Sequence, residues 1–229
     1  VPAIMATRTI ANKKERILTI LTIPFVSCSA RLPIYGMFIS LFFEKYRAPM
    51  ILGIYILGII VMLVSAKLFS LSYFRDGGSD FILEVPPYRV PQLRTITYQA
   101  LEKAKRFIKK AGTFILIGSI ILWLMSNIGP AGIEVPSDES FLSIIAGAIA
   151  PIFDPLGFGT WQASSSLISG FLAKEVVVSS LIVLYGSEAG IAVAFTTLSA
   201  LTYVVFASLY VPCISTVATI RSETGSNKW

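Results

Sequence analysis

The sequence predicts an all-α fold: a polytopic bundle of transmembrane helices, several broken at prolines, with one basic amphipathic helix in the membrane interface. Three observations carry that prediction. Of the 229 residues, 55% are hydrophobic and only 14% charged, against roughly 45–50% and 25% for soluble domains, and the mean hydropathy is +0.75. Charge-free runs recur at lengths near the ~20 residues that a helix needs to cross the hydrocarbon core. Proline falls inside those runs, at Pro24, Pro33 and Pro212, where it deletes a backbone donor and interrupts the helix.

Taken in order, residues 1–10 read as the end of a helix that starts upstream, and the turn Asn12-Lys-Lys-Glu-Arg16 follows on the cytoplasmic side. The chain opens with no initiator Met and no basic region leading to a cleavage site, so it reads as a piece of a longer protein rather than one with a signal peptide. The first span covers 17–43 and is broken between Pro24 and Pro33. Glu44, Lys45 and Arg47 mark an outer loop, and 48–66 forms the second span, with Lys67 snorkelling its amine to the interface. Arg75-Asp-Gly-Gly-Ser-Asp80 is a turn, and Pro86, Pro87 and Pro91 hold 81–94 in extended backbone on the membrane surface.

Leu93, Ile96, Ala100, Ala104, Phe107 and Ile108 then recur at helical spacing among lysines and arginines. This is the amphipathic interfacial helix, and no breaker separates it from the third span over 111–133. An ordinary cytosolic helix is the alternative, but the sequence offers no soluble core for it. Trp123 anchors the outer end of the span, and Glu134, Asp138 and Glu139 form an acidic outer loop. Residues 140–153 are uncharged but short, which fits a re-entrant or broken segment. Uncharged runs over 155–173 and 176–187 flank Lys174-Glu175. The run 189–220 is too long for one straight span and is broken by Pro212. Arg221 and Lys228 close the chain, and six crossings from a cytoplasmic start place the acidic loops outside and the basic ones inside.

The net charge of +6 is concentrated. Between Arg89 and Lys110 there are seven bases against the single acid Glu102, next to a membrane helix, which the positive-inside rule explains better than a nucleic-acid partner does. Histidine is absent, so Ser-His and Cys-His catalysis and His-based metal sites are excluded. No Gly-x-x-x-x-Gly-Lys-Ser/Thr loop occurs to cradle a nucleotide phosphate. The two cysteines form at most one disulfide, and each has the alternative reading of a small buried hydrophobe.

The chemistry concentrates at the first break. Arg31 is the only ionisable residue in 17–43, and at membrane depth it costs roughly 2.5–3.5 kcal/mol unless it faces protein or water. The partly unwound backbone between Pro24 and Pro33 therefore lines a cavity, where Cys28 sits between the hydroxyls of Ser27 and Ser29. Lys174-Glu175 is a rare pair of opposite charges inside an apolar run. Helical neighbours point about 100° apart, so one member is expected toward Arg31 and the other toward the cavity; a structural ion network is the alternative. Finally, Val1-Pro-Ala-Ile-Met-Ala-Thr-Arg-Thr-Ile10 and Val211-Pro-Cys-Ile-Ser-Thr-Val-Ala-Thr-Ile220 share Val, Pro, Ile, Thr and Ile at matching offsets. Paired proline-interrupted segments point to an inverted-repeat transporter with its site at the repeat interface.

Ser27-Cys-Ser-Ala-Arg-Leu-Pro33 closely resembles a motif in the membrane domain of FeoB, the ferrous iron transport protein B family. Further matches run in the same order through Val1-Pro-Ala-Ile-Met-Ala-Thr-Arg8, Leu83-Glu-Val-Pro-Pro-Tyr-Arg-Val-Pro91, Gly170-Phe-Leu-Ala-Lys-Glu-Val-Val-Val178 and Tyr210-Val-Pro-Cys213. The resemblance implies a permease of the prokaryotic inner membrane over 1–229, with a first gate region in 1–73, a cytoplasmic segment in 74–110 and a second gate region in 111–229. It implies that Cys28 and Cys213 are gate cysteines. With no histidine to bind a divalent first-row metal, the expected permeation path is Cys28, Cys213, Ser27, Ser29, Ser215 and Glu175, with Arg31 and Lys174 as gating or structural charges and Pro24, Pro33 and Pro212 as the helix breaks.

Two thiols suit weak, successive sites for passage rather than storage. Fe2+ is then the transported ion, with no resident cofactor and no enzymatic activity in this chain; GTP and Mg2+ would act through an amino-terminal GTP-binding domain. Expected partners are the lipid bilayer, that domain with the remaining helices, small Feo accessory proteins and further copies of the chain. A nucleoside-type carrier of related gate architecture would need aromatic and amide side chains at its breaks, an intramembrane hydrolase would need a catalytic dyad, and a structural subunit would leave the broken spans unexplained.

Overall fold

Proline and neutral cap residues decide where each helix of the bundle starts and stops. The computed structural model describes residues 2–73, 92–130, 132–133, 135–210 and 212–225. A short α1 (Pro2–Ala6) leads to α2 (Lys13–Thr22), opened by Asn12, whose side chain accepts from the Lys14 N–H at 2.9 Å. Pro24 follows, and the chain continues through two 3-10 turns, Ile23–Phe25 and Ser29–Arg31, with extended backbone at Val26 and Cys28, before α3 (Leu32–Phe42). Pro33 lies in the first turn of α3, where its missing N–H has no intrahelical partner to lose. The first span is thus partly unwound between the two prolines.

Next come α4 (Arg47–Tyr73) and α5 (Leu93–Asn127). The basic amphipathic stretch and the apolar run after it form one unbroken helix of about 52 Å, at 1.5 Å per residue, which stops at Asn127, short of the end at 133 that the lack of charge predicts. A two-stranded antiparallel hairpin, β1 (Ile128–Gly129) and β2 (Gly132–Ile133), ends it. The remainder is α6 (Phe141–Phe153), α7 (Trp161–Leu172), α8 (Val176–Tyr185), α9 (Glu188–Ala194), α10 (Thr197–Leu209) and α11 (Ile214–Thr224). The turn at 75–80, most of the extended segment at 81–94, the motif at 83–91 and Lys228 lie outside the described residues.

Among the described residues three stretches, Lys13–Phe42, Glu44–Ser72 and Thr197–Thr224, are long and apolar enough to cross a membrane, and α6–α7 and α8–α9 are bent pairs with angles of 105° and 80°, giving three such spans, or five if each bent pair counts as one, where the sequence predicts six crossings. The short 140–153 run accordingly leads into a bent pair. The longer runs are more broken than their lack of charge predicts. Gly157 and Gly186, both at positive φ, end one segment each, and Thr160 and Ser187 cap the next helices with side chains that accept backbone N–H groups. A further break at Phe195–Thr196 carries a capping box between Thr196 and Ser199. Helix ends inside a bilayer need such partners because no water is there to supply them.

Two packing relations fix the architecture. First, α3 lies beside α10 and α2 beside α11, so the broken spans α2–α3 and α10–α11 run antiparallel with their breaks at one level. Glu223, near the end of α11, clamps the basic end of this pair by binding Arg8 at 2.6 and 2.8 Å and Arg16 at 3.3 Å. Second, α7 and α8 pack side by side as an antiparallel hairpin. The Thr160 and Tyr185 hydroxyls meet at 2.7 Å at its open end, while Gly170 abuts Val177 near its tip.

Phe38, Phe158, Phe195 and Tyr203 join these units in a buried aromatic cluster with ring centroids 5.1 to 5.5 Å apart. The Tyr203 hydroxyl reaches Ser166 of the hairpin at 2.7 Å. Helix α4, by contrast, exposes Leu52, Ile56, Ile60 and Leu63, as a lipid-facing helix should. Its close approach uses a small residue: a Cβ on Gly58 would stand 3.0 Å from the Phe25 carbonyl oxygen, so α4 covers the first break backbone to backbone.

A test follows from the hairpin tip. A Cβ at Gly170 would collide with Val177 and the Tyr210 hydroxyl, whereas one at Gly36 in α3 meets nothing. Gly170→Ala should therefore destabilise the full-length protein by about 1–3 kcal/mol, and Gly36→Ala should be neutral or stabilise it by up to about 1 kcal/mol through helix propensity. Thermal unfolding in detergent compares the two directly; equal effects would refute the tight tip.

A candidate permeation junction at two helix breaks

Pro24 leaves backbone carbonyls without helical partners, and Arg31 returns across the break to take them. Its guanidinium donates to the Pro24 carbonyl at 3.1 Å and the Val26 carbonyl at 3.4 Å, and the residue is only 3% exposed. The charge desolvated at this depth is thus spent on holding the unwound segment. The Arg31 Nε remains buried without a partner. Beside it, Tyr35 at the start of α3 is fully buried, and its hydroxyl meets Ser27 at 3.0 Å.

Cys28 and Cys213 occupy equivalent local positions. Each has extended backbone and immediately precedes a helical turn, Ser29–Arg31 in one case and α11 in the other. Both thiols are free; Cys28 is exposed and Cys213 half-buried. The Cys213 sulfur lies 3.3 Å from the Ser215 hydroxyl and 3.2 Å from that of Thr216. Ser29 is exposed.

The tip of the α7–α8 hairpin joins the two breaks. Ala173 ends α7, and the turn that follows turns Lys174 inward and Glu175 outward: Lys174 is 2% exposed, and Glu175 lies on the surface. The Lys174 ammonium sits 4.3 Å from the Tyr210 ring centroid and donates to the Ala207 carbonyl at 3.4 Å. It also interacts electrostatically with Arg31, Cys28 and Cys213, and Tyr210 does so with Arg31 and Cys213. Of the sequence-derived residues, the structure therefore gathers Ser27, Cys28, Arg31, Lys174, Cys213 and Ser215 about one junction and leaves Glu175 at its margin.

The charge balance there is unusual. Neither Arg31 nor Lys174 forms an ion pair with a carboxylate among the described residues. Nor do any three of His, Cys, Asp and Glu come together among them. The sequence reading missed Tyr35 and Tyr210, each placed by the turn after or before a break; aromatics flanking the breaks were the available signal. It also missed Glu223, which the alternation of Arg8, Arg16 and a lone acid near the chain end could have suggested.

Broken antiparallel spans, a hairpin tip at their crossing and unpaired cations at membrane depth define a polytopic membrane protein of the gate type. The comparisons agree. Residues 108–227 match the family Gate, described as nucleoside recognition, and residues 51–103 match the ferrous iron transport protein B C terminus. Over its whole length the chain is 47% identical to the Fe(2+) transporter FeoB of Staphylococcus aureus (strain COL), 44% to that of Methanocaldococcus jannaschii and 40% to that of Campylobacter jejuni. It covers 35%, 36% and 40% of those proteins, and so spans little more than a third of their length. No solved structure matches it. The chain belongs to the ferrous iron transport protein B family, and is a multi-pass integral protein of the prokaryotic cytoplasmic membrane.

The two buried cations differ in what they hold, and substitution should separate them. Arg31→Met strands the Pro24 and Val26 carbonyls and should cost about 2–3 kcal/mol. Lys174→Met gives up one long hydrogen bond and the contact with the Tyr210 ring but removes a buried charge with a cationic neighbour, so it should be neutral or stabilising. Thermal unfolding of the full-length protein measures both; equal losses would contradict this division of labour.

Proposed function

We propose that the chain is the membrane permeation part of a GTP-dependent ferrous iron uptake protein, with Fe2+ as cargo and Cys28 and Cys213 as its successive ligands. The observation that supports this reading is that each thiol borders a helix break and interacts electrostatically with the buried Lys174. Thiolates suit a divalent first-row metal in the absence of histidine, and two donors bind weakly enough to release it. Ser27, Ser29 and Ser215 add hydroxyls, Glu175 adds a negative charge beside the tip, and Arg31 and Lys174 oppose a bare cation until the tip moves. On this reading 1–73 supplies one gate and 111–229 the other, with 74–110 on the cytoplasmic side.

Control by GTP and Mg2+, and any docking of small Feo proteins or of a second copy, would belong to the longer protein. No catalytic role falls to this chain. The description of the Gate family favours a second reading, a nucleoside-type carrier. The breaks carry the aromatics Tyr35 and Tyr210 beside Cys, Ser and Pro, but no amide side chain that would read a base edge.

Cys28→Ser combined with Cys213→Ser in the full-length protein should reduce ferrous iron uptake by about tenfold or more, the loss of roughly 1.4 kcal/mol or more, with membrane insertion unchanged. Anaerobic uptake of radioactive iron into cells or proteoliposomes checks it. Unchanged flux in the double variant would remove the thiols from the path, and uptake of nucleosides instead of iron would favour the second reading.

A further inference from the structure

Helix α1 and the basic half of α5 face each other across an open groove of about 540 Å3. Both belong to the basic end of the bundle, where they run in opposite directions. Helix α1 leads toward the Glu223 clamp through Arg8, whereas α5 starts among the bases and leads away into apolar sequence. The wall of the groove therefore changes character along its length. The antiparallel course puts Arg8 and Thr9 with Gln99 at the basic end, and Pro2, Met5 and Ala6 with Ala104 toward the bilayer. Apart from the half-buried Met5, all of these residues are exposed.

Charge and size restrict what fits. Lys103 lines the same groove, is exposed, and forms no ion pair among the described residues. A lysine at such a boundary lays its four-carbon stem along apolar surface and carries its ammonium to the polar end. Arg8 gives its Nε and one Nη to Glu223 and is still more than half exposed, which leaves guanidinium donors for a second acceptor. Glu102 opposes these bases on the wall, but Arg94, Lys105 and Lys109 stand exposed on the same helix, so cations outnumber acids over the polar end. The volume falls within the roughly 300–1,000 Å3 of sites that hold small organic ligands, room for a headgroup and the upper part of one acyl chain.

The position favours lipid over a protein partner. Leu101 and Ile108, set among those bases, are 70% and 66% exposed, and apolar side chains interleaved with bases on one helix suit the boundary between headgroups and acyl chains. The groove lies at the level where Arg8 closes the clamp and α2 begins, which is where the first span enters the bilayer. Basic pockets between membrane helices at that level attract acidic headgroups.

We infer that the groove between α1 and α5 binds one anionic phospholipid, its phosphate meeting Lys103 and Arg8 and one acyl chain lying along Pro2, Met5, Ala6 and Ala104. The inference is independent of what the chain transports. Native mass spectrometry of the full-length protein in detergent, titrated with phosphatidylglycerol or with chain-matched phosphatidylcholine, tests it. Three variants are compared with the parent. Lys103→Gln removes the base in the groove, Ala104→Trp fills its apolar end, and Lys13→Gln removes a base at the same end of the bundle that does not line it. All three positions are exposed, so the buried core is untouched.

The first phosphatidylglycerol should bind the parent at least fivefold more tightly than phosphatidylcholine does. Its affinity should fall about fivefold in Lys103→Gln, the effect of one base at a charged membrane surface, fall further in Ala104→Trp, and stay unchanged in Lys13→Gln. Equal affinity for the two lipids, equal losses in Lys103→Gln and Lys13→Gln, or undiminished binding to Ala104→Trp would overturn the site.

Discussion

Unwound backbone at membrane depth is the constraint from which the rest of this structure follows. A helix satisfies its own N–H and C=O groups in lipid; a break does not, and each unsatisfied group there costs several kcal/mol. The first break is closed from within the chain, by the Arg31 guanidinium reaching back to the Pro24 and Val26 carbonyls, and from outside, by α4 approaching at Gly58. The second is bordered by Cys213 with Ser215 and Thr216. Antiparallel pairing lets each break cover the other, which explains why α2 lies beside α11 and α3 beside α10. The Glu223 clamp on Arg8 and Arg16 then fixes the register of that pair at its basic end.

The α7–α8 hairpin answers the same constraint differently. Its ends are capped rather than paired, and its tip is satisfied by neighbours: Tyr210 donates to the Leu167 carbonyl at 3.2 Å and offers its ring to Lys174. A Cβ at Gly118 would stand 3.7 Å from Leu172. Gly118 lies nine residues, or about 14 Å, from the outer end of α5, close to half of a core about 30 Å thick. The tip is therefore held against α5 well away from that helix's end, and the Lys174 at its apex is enclosed by protein.

How far the sequence discloses this depends on the kind of signal. Proline and lone charges are strong signals, so the break at Pro24–Pro33, the inward Arg31 and the break at Pro212 were legible. So was the continuity of the basic stretch with the third span, since no breaker separates them. Neutral caps are weak signals: Gly157 with Thr160, Gly186 with Ser187 and the box at Thr196–Ser199 divide runs that lack of charge alone presents as continuous. The hairpin was hidden for that reason, because 155–173 and 176–187 read only as uncharged runs on either side of Lys174-Glu175, with nothing to show that they fold back on one another. Which of Lys174 and Glu175 turns inward depends on a tertiary contact, the Tyr210 ring, that no local pattern encodes.

The separation of charge along the outer half is where these threads meet. Helices α6 to α10 carry no cation, so from the acidic loop inward nothing repels a positive ion until the hairpin tip, where Lys174 and Arg31 stand together. Their mutual repulsion is tolerated because each is tied to different partners, Arg31 to a fixed break and Lys174 to the end of α10. The two are therefore not equivalent as gates. Moving Arg31 would unsatisfy the backbone of the first span, whereas moving Lys174 requires only that a hairpin tip slide past Tyr210 and Ala207. On the permeation reading, the element that must yield to a passing ion is the tip, and any coupling from the cytoplasmic side has to reach it through α10 and α11, the helices that connect Lys174's partners to the Glu223 clamp.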